Sequence, residues 1–174
     1  MIKAVPNKTL KRIRDHLLAV GRQKADTSTP VEGHPLEGDD VAKALFDAVA
    51  ETMFLMIASD QKIEEAERDA FRGAFRELTA GLLSTTFVEE SAARFENALK
   101  TEGQAKRLDA VAAVLKTSTE SAEAAFVLAA AVAFADDEIA DSENEVLNDL
   151  ADRLSIDEKR AGELLDELEE EAET

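Results

Sequence analysis

All three prolines of this 174-residue chain, Pro6, Pro30 and Pro35, lie within its first 35 residues. The 139 residues that follow contain none, and Ala, Glu and Leu dominate them, with Lys and Arg interspersed and no runs of β-branched residues. Proline is the strongest interruption a helix can meet, and those five residue types are among the best helix formers. The chain beyond Pro35 is therefore expected to be all-α, a single compact domain of about seven helices.

Hydrophobic periodicity and breakers divide it further. A basic amphipathic helix is expected over about 8–24, with Leu10, Ile13, Leu17 and Leu18 on one face, giving an N-terminal arm over 1–24. The stretch "ADTSTPVEGHPLEGDD" holds two prolines and two glycines without periodicity, so 25–39 reads as a linker and 40–174 as the helical domain. There, helices are expected at about 40–59, burying Val41, Leu45, Val49, Met53 and Met56, and at 64–81, burying Phe71, Phe75 and Leu78. A Thr86–Glu89 capping box should open a third, running to about Lys100. Gly103 then breaks the chain before a fourth, from Gln104 to Lys116, with Leu108, Val111 and Leu115 inward. A fifth at 120–135 is apolar on nearly every face and should be central. The sixth spans 141–154, and a Ser155–Glu158 capping box should start the seventh. The eight phenylalanines, including Phe87 and Phe134, are spaced as core residues.

Two segments resemble each other. In "ASDQKIEEAERD", Asp60, Ile63 and Glu67 have the spacing of Asp136, Ile139 and Glu143 in "FADDEIADSENE", 76 residues later. The same offset pairs Met56 with Val132, Phe71 with Leu147 and Leu78 with Leu154. Each unit is an apolar helix, an Asp, a turn containing an Ile, and a helix with an acidic start. The domain therefore contains two related helix–turn–helix hairpins, and Ile63 and Ile139 should plug the turns into the core.

The acids invite an explanation, because the C-terminal end of a helix already carries about half a negative charge. One answer is structural: Asp60 and Asp136 accept free N–H groups of the next helix, and Glu67 and Glu143 are the return arms of capping boxes. The residues three before those glutamates are Glu64 and Ala140, which are not the usual caps. The other answer is a hard divalent cation held by carboxylates from both turns. An EF-hand is excluded, since counting from Asp136 puts Leu147 where a bidentate Glu belongs.

The segments "IASDQKIEEAERDAF" and "AFADDEIADSENEVL" resemble the A-x-A-D-G-x-I-x-x-x-E signature of the TerB (tellurite resistance protein B) family. The similarity covers about residues 40–168, with one copy of the signature near each end. It implies an all-α domain whose hairpins bring acids together into a metal-binding centre, in bacterial stress and tellurite-resistance systems often linked to membrane proteins or co-chaperones. Carried over by position, the implied metal ligands are Asp60, Glu67, Asp136 and Glu143. The chain departs from the signature after each Asp, with Gln61 in one turn and Asp137 in the other, and Asp137 is a further candidate ligand.

Composition narrows the chemistry. There is no cysteine, Tyr or Trp, and both histidines, His16 and His34, precede the repeated region. Thiolate sites and disulfides are thus excluded, and the side chains most used in nucleophilic or acid–base catalysis are scarce, so no enzyme is expected. The net charge of −18 is uneven: residues 1–24 carry +6 and the rest −24. Such a body repels nucleic acid and favours cations and basic partners. The longest apolar run, Ala124 to Ala135, is twelve residues against roughly 20 needed to span a bilayer. The expectation is a soluble, cytoplasmic, bacterial module that binds Ca²⁺ or Mg²⁺ and a protein partner. The rival expectation is a structural or adaptor domain whose acidic turns only cap helices.

Overall fold

The computed structural model describes residues 40–60, 65–78, 85–133 and 140–173. They form seven helices: α1 (Asp40–Ile57), α2 (Glu65–Leu78), α3 (Thr85–Glu102), α4 (Gln104–Leu115), α5 (Thr119–Ala133), α6 (Asp141–Arg153) and α7 (Glu158–Glu173), with no strand among the described residues. The expected arm (1–24) and linker (25–39) lie outside them, as do Ile63, Ile139 and Phe134.

Two helices share the centre. α1 packs against α2 through α6, and α5 against α1, α4, α6 and α7. In α5 the run Ala125 to Ala131 is buried without interruption, as its all-round apolar sequence requires. Four of those seven residues are alanine, and small side chains let neighbouring helix axes come close. α1 is buried from Ala48 to Met56, including Thr52, whose hydroxyl donates to the Ala48 carbonyl at 2.7 Å and so needs no outside partner. α2 is held by aromatic rings instead. Phe71 meets Phe54 at 5.4 Å and Phe95 at 6.0 Å edge-on, and Phe75 meets Phe46 at 5.8 Å. These edge-to-face contacts, favoured by the ring quadrupole, pin α2 between α1 and α3.

The repeat is present in the backbone. α1 and α5 end 76 residues apart, at Ile57 and Ala133, and α2 and α6 begin 76 apart, at Glu65 and Asp141. Burial follows the register: Val49 and Ala125, Met53 and Ala129, Phe71 and Leu147, and Phe75 and Ala151 are all buried pairs. The expected pair Met56 and Val132 is less even, Val132 being only partly buried.

Three helix starts correct or complete the sequence reading. α3 already includes Thr85, so Thr86 is inside the first turn and is not the cap. At α7 the cap is Asp157, whose Oδ1 accepts the Arg160 amide at 2.7 Å, and not Ser155. Ser155 instead terminates α6. Its φ of 59° is left-handed, Ile156 N–H reaches the Ala151 carbonyl at 2.9 Å, and Ser155 N–H reaches Asp152 at 3.2 Å. This is a Schellman ending with Ile156 buried behind it. α5 begins behind Ser118, whose hydroxyl accepts the Ser121 amide at 3.3 Å. Gly103, at φ 89°, breaks α3 from α4 as its sequence position suggested, because a left-handed residue there is cheapest without a Cβ.

Candidate metal centre

α1 closes with Ala58 N–H on the Phe54 carbonyl (2.9 Å) and Ser59 N–H on Met56 (3.2 Å), which leaves Asp60 exposed just beyond. Across the molecule α6 opens at Ala140, in extended backbone, with Asn144 N–H returning to the Ala140 carbonyl at 3.0 Å. The end of α1 and the start of α6 meet. Ser59 Oγ lies 3.2 Å from Ser142 Oγ, a side-chain contact between the first hairpin's turn and the second hairpin's second helix. Gln104, the first residue of α4, donates from Nε2 to the Ser59 carbonyl at 3.3 Å. Ser59 is 8% exposed, so the joint is packed and not a chance surface encounter.

Each hydroxyl immediately precedes a candidate acid in sequence, Ser59 before Asp60 and Ser142 before Glu143. Glu143 Oε2 accepts the Ala140 amide at 3.2 Å. That is half a capping box: the glutamate reaches back, but Ala140 has no side-chain acceptor to reciprocate. Glu67 occupies the equivalent third position of α2. Acids there are favoured by the positive end of the helix dipole. Asp136, Asp137 and the side chain of Glu67 lie outside the described residues. Among the described residues no three His, Cys, Asp or Glu side chains converge.

Neighbouring carboxylates are committed elsewhere. The Arg72 hydrogen bond, with help from Arg68, holds the Glu65 carboxyl below its ordinary value at the start of α2. Arg72 also binds Asp69 at 2.6 Å and Glu89 at 3.1 Å. Arg68 binds Glu96 at 2.9 Å, which with Lys100 keeps that carboxyl low. Glu51, buried in α1, takes both arms of Arg107 at 2.6 and 2.8 Å. The joint itself is made of the two hydroxyls, the Ser59 carbonyl and the Gln104 amide. Carboxylate, hydroxyl and carbonyl oxygens, were they gathered, would suit a hard cation such as Ca²⁺ or Mg²⁺ and not zinc or copper.

Sequence reasoning missed Ser59, Ser142 and Gln104. Comparing the repeats hides them, because Ser59 aligns with Ala135 and Ser142 with Ala66. The one local signal was a serine directly before a candidate acid in each unit.

Seven helices among the described residues and a duplicated hairpin, with the end of α1 meeting the start of α6 through Ser59 and Ser142, define an all-α domain of the tellurite-resistance type. The family model described as Tellurite resistance protein TerB matches residues 46–165, and the chain belongs to that family. No curated protein and no solved structure gives a match.

Proposed function

We propose that this chain is a non-enzymatic divalent-cation-binding module, taking Ca²⁺ or Mg²⁺ between its acidic turns and acting in a bacterial stress-response or tellurite-resistance-type assembly. Asp60 and Glu143, with Glu67, Asp136 and Asp137, are its metal residues. The Ser59–Ser142 contact carries the reading, since it sets the residue before Asp60 against the residue before Glu143. Carboxylates gathered there repel one another at close range, and a divalent ion converts that repulsion into ligation. The ion supplies charge neutralisation and cross-linking of the hairpins; the partner is then a protein, including a membrane-associated one, and not nucleic acid. No helix among the described residues is long and apolar enough to cross a membrane.

Thermal unfolding at pH 7 tests this. Ca²⁺ or Mg²⁺ at about 100 times Kd should stabilise the fold by about 2.7 kcal/mol, beyond NaCl of equal ionic strength. Asp136→Asn and Asp60→Asn should each remove most of the shift if one ion bridges both turns. Equal shifts in the wild type and the double variant would end the proposal. A second reading has its own observation, the Glu143 carboxylate on the Ala140 amide. In it the acids only cap helices, and the domain is an adaptor for a protein partner.

A further inference from the structure

We propose that the open side of α7 is a docking surface for a basic amphipathic helix, and that its occupant is the arm at residues 1–24 of this same chain. α7 has two unlike sides. Arg160, Glu163 and Glu167, spaced three and four apart, share one of them. There Arg160 binds Glu123 of α5 at 2.7 Å and Glu163 at 3.0 Å, so that side is closed by its own ion pairs. Ala161, Gly162, Leu165 and Glu169 share the other side by the same spacing. Ala161 and Leu165 are only partly buried at the edge of the core, and a Cβ added at Gly162 would meet no atom within 4 Å. Leu164 and Leu168, between the two sides, are buried, and α5 is the helix α7 packs against. Glu158, Asp166 and Glu169 border the apolar strip, are exposed, and make no ion pair among the described residues.

The arm matches this side in pattern and charge. Residues 1–24 carry seven Lys/Arg against one Asp, whereas α7 carries eight acids against two bases and is the most acidic of the described helices. Leu10, Ile13 and Leu17 recur at helical spacing in the arm, with Lys11, Arg12 and Arg14 between them. Such a stripe can cover Ala161 and Leu165 while its basic residues reach the bordering carboxylates, and Gly162 lets the two helix axes come close. Residues 25–39, at no more than about 3.6 Å each, can span about 50 Å, well beyond the roughly 27 Å length of the 18-residue α1. Tethering gives the arm a local concentration on the order of millimolar, so exposed ion pairs of modest strength suffice to hold it.

The chain has no cysteine, so two introduced ones define unique nitroxide labels. Thr9→Cys in the arm and Lys159→Cys, at an exposed position of α7, report their separation by double electron–electron resonance. A narrow short-distance component is expected when the doubly labelled chain is diluted with unlabelled chain. Arg12→Glu with Arg14→Glu should lower the docked-to-undocked ratio about tenfold, the scale of two exposed ion pairs turned into repulsions. Asp166→Lys with Glu169→Lys should lower it equally, and combining both reversals should restore it. Asp166 and Glu169 are exposed, so their reversal leaves the core intact. Three results overturn the inference. One is a parent chain with no short component, including one whose arm label is immobilised only by anionic lipid vesicles. Another is a short component indifferent to the Asp166 and Glu169 reversal. The third is a short component that vanishes on dilution with unlabelled chain, which assigns the surface to the arm of a second copy.

Discussion

Glu51 sits in the middle of α1 at 6% exposure, between apolar neighbours, and Arg107 from α4 accounts for its being there. The guanidinium straddles both carboxylate oxygens at 2.6 and 2.8 Å, and it also reaches Glu102 at 2.7 Å. These bonds, Glu51 first, raise the Arg107 pKa further above its already high value, so the cation never titrates in a useful range. A buried pair of this kind is worth little net, but removing one partner strands the other. Arg107→Met should cost about 3 kcal/mol, whereas Arg107→Met with Glu51→Leu should return to within about 1 kcal/mol of wild type. Urea denaturation at pH 7 measures both. A double variant no better than the single one would mean that packing, and not the stranded carboxylate, sets the cost.

At the scale of elements, the α6–α7 junction compresses two helix ends into Leu154 to Asp157. Sequence pattern offered Ser155 and Glu158 as a capping box; the structure uses Ser155 as the left-handed terminator of α6 and Asp157 as the cap of α7. Both serine and aspartate are good N-caps, so the pattern has two solutions two residues apart. The Schellman bonds from Ile156 and Ser155 choose between them. The consequence is a pair of opposite effects. Ser155→Gly relieves the left-handed strain and should stabilise by about 0.5 kcal/mol, net of the greater freedom glycine has when unfolded. Asp157→Ala should cost about 1 kcal/mol. Thermal melts resolve these as a rise of about 1–2 °C and a fall of about 2–4 °C. If Ser155→Gly lowers the midpoint, Ser155 is not acting as the terminator.

For the whole molecule, the question is how a chain of net charge −18 stays folded. Among the described residues, Arg68, Arg107, Arg153 and Arg160 sit at seams between helices. Arg160 of α7 binds Glu123 of α5 at 2.7 and 2.9 Å, Arg68 of α2 binds Glu96 of α3, and Arg153 of α6 binds Asp109 of α4 at 2.7 Å. Hydrogen bonds from Arg160 hold the Glu123 carboxyl below its ordinary value of 4.5, and those from Arg68 do the same for Glu96. A carboxyl whose folded pKa is depressed contributes stability above its unfolded pKa and loses it as pH falls through the folded one. The stability gap between wild type and an Arg160→Met, Arg68→Met variant should therefore be widest at neutral pH. It should narrow as pH drops below about 4.5 toward 3. Urea midpoints across that range are the measurement, and a gap independent of pH would show that the arginines act only through their aliphatic stems.

What the sequence determined alone was the placing of helices and breaks along the chain, though not every cap. Freedom from proline, the 3.6-residue periodicity and Gly103 dictated the helices; the run from Ala124 marked α5 as central; the offset of 76 was visible before any backbone was. Tertiary structure alone decided which distant side chains meet. Ser59 with Ser142 is separated by 83 residues, Glu51 with Arg107 by 56, and Gln104 with Ser59 by 45. A serine beside an acid, or a glutamate inside an apolar helix, has many equally good local roles. The choice among them depends on how helix axes cross and which faces are brought together, and those are set by burial of the whole core at once, not by any short stretch of chain.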